Sequence, residues 1–275
     1  MRDYSILVNT CDAYSDLWEP FLYLLWFNWE ESKKKNIYFN TETINKDTIA
    51  ENVCFINKKY EKKDRWGGRL LHSLKNIDSD YVVVLMDDFF LRKKVSVEKL
   101  SIALEAMERD KHIACFYLID TLNQDKEDGL YSGYTEVPKG KNYRLNSAPA
   151  IWRKASLIRY TEEKDNPWAW EYFGSCRTNR TNEKFYAVSK VREPVYDYAH
   201  VVYRGQWLGK DILPLLQQYS LNVDFNKREI IRIGEKLPKR SLKWKMLFIL
   251  TGFRMVGFDA FGPIFNDLKG KYVFR

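Results

Sequence analysis

Two adjacent carboxylates, Asp87 and Asp88, follow Tyr81-Val82-Val83-Val84-Leu85-Met86, the most continuously apolar β-type run in the chain. Like charges leaving a buried strand repel each other and need solvent, a cap or a cation to hold them. A hydrated divalent metal is such a cation, and oxygen ligands suit Mg²⁺ or Mn²⁺. A solvated turn or a helix cap is the plain reading of any Asp-Asp pair; the strand immediately before this one tips it towards a site. Asp12 stands in a similar place, after a β-rich run at residues 4–9 and the turn-like Thr10 and Cys11. Further along, Asn166-Pro167-Trp168-Ala169-Trp170-Glu171 has an Asn cap, Pro at the first helical position and then an acid. Glu171 either complements the helix dipole or, set among aromatic rings, takes a proton from an attacking hydroxyl. Arg204 precedes Gly205, which lets backbone approach a ligand, and suits a phosphate contact. Arg65 and Arg69 flank Trp66-Gly67-Gly68, where the glycine pair is either a simple turn or a close approach before the Asp-Asp strand.

These groups act together only if the elements between them converge. Short strand candidates lie at residues 4–9, 36–41, 52–57, 81–86 and 113–118. Helical spacing of Trp18, Phe21, Leu22, Leu25, Trp26 and Trp29 predicts a helix capped by Asp16. Further helices are expected at 68–77, with Leu70, Leu71 and Leu74 on one face, and at 97–109. Continuous apolar runs separated by helices argue a mostly parallel sheet covered on both faces. In such a sheet, ligands bind beyond the carboxyl ends of the strands, where Asp12, Asp87 and Asp88 fall. Residues 125–140, rich in Gly and Pro, read as a loop or irregular hairpin and the most mobile segment. Beyond it come a strand at 149–152, a helix at 154–161, the helix opened by Asn166, a strand at 196–203 and a helix at 212–219.

The composition agrees with a folded enzyme-sized unit. Of 275 residues, 45% are hydrophobic and 16% aromatic, which excludes a disordered or low-complexity chain. The net charge of +8 favours anionic partners. Four scattered cysteines show no metal-finger spacing, so reduced thiols and a cytoplasmic location are expected. The first residues lack the apolar run of a signal peptide. No Walker loop or GxGxxG is present, which leaves nucleoside-triphosphatase and dinucleotide-dehydrogenase readings without a motif. The tail interleaves Lys239, Arg240, Lys243 and Lys245 with apolar and aromatic residues. It reads either as a helix lying in an anionic membrane interface or as a helix docked on the core. Arg254 and Asp259 interrupt its apolar stretch and argue against a membrane span.

The segment RLLHSLKNIDSDYVVVLMDDFF, residues 69–90, resembles the helix–strand–acid element of GT-A-type nucleotide-sugar glycosyltransferases. There a DXD-like motif closes the central strand and holds a metal on the sugar-nucleotide diphosphate. Ile6-Leu7-Val8-Asn9-Thr10-Cys11-Asp12 resembles their first strand and nucleotide-binding turn, and the order of elements follows the group over residues 4–219. Met86-Asp87-Asp88 departs from a clean DXD, and Asp88 is the favoured ligand. The resemblance implies a GT-A-like α/β domain over residues 1–225, with a nucleotide-binding half (1–120) and an acceptor-side half (121–225), then a basic amphipathic helical extension (226–275). It implies a nucleotide-diphosphate sugar donor, contacted by Thr10, Asp12, Arg65, Arg69, Asp87, Arg204 and Trp207. Asp88, together with His200 as the late histidine of the group, would hold Mn²⁺ or Mg²⁺. Glu171 would be the base of an inverting transfer, with Trp168 and Trp170 against the acceptor sugar. A saccharide or lipid-linked saccharide acceptor in surface polysaccharide or glycolipid assembly follows, on the inner face of the cell membrane; nucleic acid is not an expected partner. Two other readings stay open: a metal-dependent phosphoesterase, for which three histidines are few, and a non-catalytic membrane-surface protein, which leaves the strand-end acids without a purpose.

Overall fold

The structure, a computed structural model, describes residues 3–46, 49–57, 66–122, 130–235 and 239–270. In the first half, strands β1 (Tyr4–Asn9), β2 (Ile37–Asn40), β3 (Val53–Ile56) and β4 (Tyr81–Met86) alternate with helices α1 (Trp18–Asn28) and α2 (Trp66–Lys75). Next come β5 (Phe89–Leu91), α3 (Val97–Arg109), β6 (Ile113–Tyr117), β7 (Tyr134–Glu136), β8 (Ala150–Arg153), α4 (Lys154–Tyr160) and α5 (Pro167–Tyr172). The chain continues through β9 (Lys184–Val188), β10 (Tyr198–His200), β11 (Val202–Tyr203), β12 (Gln206–Leu208), α6 (Gly209–Tyr219) and β13 (Ile230–Ile231). Helices α7 (Leu242–Val256) and α8 (Phe261–Gly270) end it.

The main sheet has eight strands in the order β3-β2-β1-β4-β8-β6-β9-β7. Strands β3, β2, β1 and β4 run parallel, as do β6 and β9, while β8 is antiparallel to both β4 and β6. The α/β class and the mostly parallel sheet are those expected from the continuous apolar runs. Their origin is visible in β1 and β4: Ile6, Val8, Val83 and Leu85 face a core shared with α1 and α3, whereas Leu7, Val82 and Val84 face one shared with α2, α4 and α5. Both faces are dry, so the middle of each strand is apolar at every position.

Two local expectations are revised. Asp16 does not cap α1, whose N-cap Leu17 makes no side-chain bond; its carboxylate is taken by Arg228. The body of the fold also runs past residue 225, because β13 pairs in parallel with β12. Of the 125–140 segment, residues 125–129 lie outside the described ones, and the remainder includes β7.

Of the two readings offered for the tail, the structure shows the docked one. Between α7 and α8 the chain turns at Gly257, which sits at φ 61°, where a side chain would be strained. Phe248, Met255 and Ala260 pack on Ala169, Tyr172 and Phe173 around α5. The seat is tight: a Cβ at Gly252 would lie 2.4 Å from the Phe173 ring. Asp259 bonds Arg180 at 2.6 Å, and Asp267 accepts from Tyr172 Oη at 2.6 Å and Asn142 Nδ2 at 2.7 Å. The opposite face leaves Leu242, Met246, Leu247, Leu250, Phe261 and Phe265 exposed. By length and composition alone the stretch Leu242–Lys269 would suffice to cross a membrane, but it is divided at Gly257 into α7 and α8, and its inward bonds hold it on the domain.

Gly252→Val is expected to lift α7 from Phe173, at a cost of about 1–3 kcal/mol for the overpacked contact. Limited proteolysis should then cut the tail faster than in the parent protein; an unchanged digestion rate would show that the seat tolerates a side chain.

Candidate functional site

The parallel register of β1 and β4 pairs Asn9 with Met86, which brings the next residues, Thr10 and Asp87, together at the carboxyl edge of the sheet. The Thr10 hydroxyl donates a short hydrogen bond to Asp87 Oδ2 and accepts one from Trp18 Nε1 at 2.8 Å. Asp87 is buried, and burial together with the neighbouring Asp88 charge pushes its carboxyl well above the usual range, against the pull of Thr10, Trp18 and Arg228.

Asp88 begins the turn into β5, and β5 pairs antiparallel with β10 so that Phe89 faces His200. That register sets His200 Nε2 2.9 Å from Asp88 Oδ2, while Val201 N–H donates to the Asp88 carbonyl at 3.0 Å. Burial depresses the His200 imidazole, but the bond to Asp88 and its charge outweigh it, and the net shift is upward. The other carboxylate oxygen, Asp88 Oδ1, is buried with no hydrogen-bond partner. An orphaned carboxylate oxygen is costly and is the kind of atom a cation satisfies. Among the described residues no three His, Cys, Asp or Glu side chains form a metal cage. The donor set therefore fits a divalent ion held by Asp88 and His200 with the rest of its shell from water or a ligand's oxygens.

Glu171 comes from the other half of the domain. Asn166 Oδ1 accepts from Ala169 N at 3.0 Å, fixing the start of α5 as its cap pattern predicts. Glu171 Oε1 accepts from Ser147 N at 2.7 Å, and burial raises its carboxyl above the ordinary glutamate value. The Tyr198 ring stacks on Phe89 at 4.3 Å, and its hydroxyl is pushed up to about 12 by burial and by the charges of Asp88 and Glu171.

Other expected residues have different settings. The Asp12 carboxylate accepts from the backbone N–H of Glu42 and Thr43 at 3.0 Å and of Ile44 at 3.3 Å; it braces the loop after β2. Arg69 donates to the Thr10 carbonyl at 3.3 Å and lies 3.6 Å from Glu42, so it supports the same edge from α2. Arg65 lies outside the described residues. Trp170 is revised from acceptor contact to core residue: its ring is buried against Trp66 and Trp152, and its Nε1 donates to Tyr160 O at 3.1 Å. Trp207 is likewise buried, in the core beside Phe225, and has no open face for a nucleotide. Trp168, on the outer face of α5, is 53% exposed. Arg204 occupies the two-residue turn of the β11–β12 hairpin, at φ 51° ahead of Gly205 at φ 83°.

Arg228 was not signalled by any motif. Its guanidinium donates to both carboxylate oxygens of Asp16, at 2.8 and 2.7 Å, and to the Gly205 carbonyl at 3.2 Å. It also donates to Ala13 O and lies 4.3 Å over the Tyr14 ring. One side chain thus ties the loop after β1, the Arg204 turn and the β13 segment together, and its charge reaches Asp87.

No family model and no curated protein matches the chain. Solved structures similar to it include S. aureus TarS, at 13% identity and a TM-score of 0.48, over 72% of this chain and 36% of TarS. The galactosyltransferase LgtC, in complex with donor and acceptor sugar analogues, is 13% identical with a TM-score of 0.35, over 56% of this chain and 59% of LgtC. A cytidylyltransferase from Leptospira borgpetersenii is 12% identical with a TM-score of 0.44, over 87% of this chain and the whole of that one. The chain spans about a third of the length of TarS.

Arg228→Met removes the two-point partner of the half-buried Asp16, which keeps only Lys227 at 3.3 Å, and a loss of about 1–3 kcal/mol in stability is expected. Urea unfolding measures it. The paired Asp16→Leu/Arg228→Met protein should recover part of that loss, and a single variant as stable as the parent would remove Arg228 from its tying role.

Proposed function

We propose that the protein is a glycosyltransferase that moves a sugar from a nucleotide-diphosphate donor to an acceptor hydroxyl with inversion at the anomeric carbon. The observation that carries this reading is the orphaned Asp88 oxygen, on a carboxylate already bonded to His200 at the sheet's carboxyl edge. Asp88 and His200 would hold Mn²⁺ or Mg²⁺. Such an ion, when bound, supplies Lewis-acid neutralisation of the leaving diphosphate. Arg228 and Arg69 add fixed positive charge to the same edge, and Thr10 holds Asp87 in place behind it.

Glu171 takes the proton of the attacking hydroxyl. Its buried setting raises its proton affinity, which makes it a stronger base than a solvated carboxylate. The exposed ring of Trp168, one helical turn earlier on α5, offers a flat apolar face to the acceptor sugar. The outward apolar face of α7 and α8 supports a place on the inner face of a membrane, where a lipid-linked saccharide of surface polysaccharide or glycolipid assembly would present its hydroxyl.

Asp88→Asn is expected to abolish the Mn²⁺-dependent part of nucleotide-diphosphate binding. Calorimetric titration with UDP, GDP and CDP, each with and without Mn²⁺, reads it; equal affinity in parent and variant would sink the metal assignment. Glu171→Gln should keep donor binding while transfer falls about 10²–10⁴-fold. In the parent, transfer requires Glu171 deprotonated, so its rate declines as pH falls through a midpoint above the ordinary carboxylate range. That acid limb should vanish in the Gln variant, and its persistence there would assign the base elsewhere.

A further inference from the structure

A cleft of about 470 Å³ opens where the tail lies on the second half of the domain. Its walls are residues 140–142, the 3₁₀ turns Gly174–Arg180, and the turn Gly257–Ala260 with the start of α8. That is the size of a small-molecule site. Two glycines in the lining have different grounds. Gly140 sits at φ 84°, where a side chain would be strained. Gly262 lies within α8 at no such angle, and a Cβ there would meet no atom of the described residues within 4 Å. Alanine would serve the helix better. Packing inside the chain therefore does not account for this glycine; what it leaves is room in the cleft.

The lining has the chemistry of a neutral, polyhydroxylated ligand. Its charges cancel: Arg180 is bonded to Asp259 at 2.6 Å, and Lys141, bonded to the Leu122 carbonyl at 3.1 Å, is offset by Asp267 behind Asn142 and Tyr172. No surplus charge is left to select a phosphate or a cation. Neutral amides stand at the opening instead. Asn179 accepts from Gly140 N–H through Oδ1 at 3.0 Å, and its own amide N–H groups have no partner among the described residues. Asn266 donates to Gly140 O and Asn142 Oδ1, both at 3.1 Å, and its Oδ1 likewise has none. A donor and an acceptor are thus gathered around one residue, and a sugar's vicinal hydroxyls each donate and accept. Of the two rings in the lining, Tyr172 is covered by Tyr143, Phe173 and Phe248, whereas Phe258 is 86% exposed. Its face suits the C–H side of a pyranose.

We infer that this cleft binds a neutral saccharide, with Asn179 and Asn266 on its hydroxyls and Phe258 against its ring face. That the saccharide is the glycan of an acceptor rests on the glycosyltransferase reading. The wall residue Ser175 accepts from Leu145 N–H at 2.9 Å and donates to the Glu171 carbonyl, and Glu171 Oε1 accepts from Ser147 N–H at 2.7 Å. Segment 142–147 therefore runs from the cleft to the acid, and it spans at most about 18 Å. A short oligosaccharide covers that distance, so units remote from the reacting hydroxyl would sit in the cleft.

Hydrogen exchange of the full chain, read by mass spectrometry, tests it with maltotriose, cellotriose, chitotriose and N-acetyllactosamine as probes and uridine as the non-saccharide control. At least one saccharide should slow exchange in residues 140–142, 174–180 and 257–266 together, and uridine should not. Gly262→Leu fills the cleft and suits the helix, so it should resist urea at least as well as the parent protein and lose that protection. Phe258→Ala, at an exposed position, and Asn179→Ala should each weaken the saccharide about tenfold, and they decide the matter if the leucine disturbs the fold. UDP titration with Mn²⁺ should be the same for Gly262→Leu and the parent. A panel in which no saccharide protects the three segments overturns the inference, as does protection that survives in these variants. Uridine protection lost in Gly262→Leu also overturns it, by making the cleft a base site. A parent protein that binds UDP with Mn²⁺ but no saccharide loses the cleft and keeps the transferase reading. One that binds saccharide there but no nucleotide diphosphate keeps the cleft and loses that reading.

Discussion

Neighbouring carboxylates at the end of a dry parallel strand set the terms for the rest of the molecule. Strand β4 delivers Asp87 and Asp88 to a place where neither is solvated as a free side chain would be, and each is handled differently. Asp87 is turned inward, hydrogen-bonded by Thr10, and its carboxyl is pushed well above the usual range by burial and its neighbour. Asp88 is met at one oxygen by His200 from β10, and its other oxygen is buried without a hydrogen-bond partner. The strand pairings β1–β4 and β5–β10 fix these partners, so the electrostatics of the site follow from backbone register.

Holding that register requires the surrounding loops to be pinned. Asp12 pins the loop after β2, Arg69 pins the turn after β1 from α2, and Arg228 pins the same turn from near the far end of the chain. The second half of the domain uses another buried cation. Arg144 lies inside the fold over the Phe185 ring and donates to the carbonyls of Val137, Thr178 and Glu183. It has no carboxylate at bonding distance among the described residues and serves as a hydrogen-bond hub beneath the segment that leads to Ser147 and Glu171. Three backbone carbonyls accept from it where an acid would have introduced a second buried charge.

What could be read from the sequence was whatever depends on local pattern. Apolar runs placed β1, β4 and β6, and the acids that interrupt them marked the carboxyl edge. Asn166 and Pro167 announced α5 and so positioned Glu171. Residues whose role depends on distant partners were not legible. Trp168 and Trp170 are two positions apart on one short helix, and only the packing of α5 on α4 and β8 decides which ring is buried. Trp207 lies in a strand whose inward side is set by its pairing with β13. Arg228 carries no motif, because its partners Asp16 and Ala13 come from the opposite end of the chain. The antiparallel course of β8 was hidden for the same reason: a strand between two dry faces looks alike in either direction.

The Gly252–Phe173 seat makes α5 a party wall. On one side the helix carries Glu171, and on the other it receives α7, so the tail and Glu171 share a single piece of backbone. Cutting the tail away would strip cover from Ala169, Tyr172 and Phe173 and loosen the very turn that carries Glu171. A less apolar surface is therefore better obtained by recolouring the outer stripe of α7 and α8 with polar side chains than by shortening the chain.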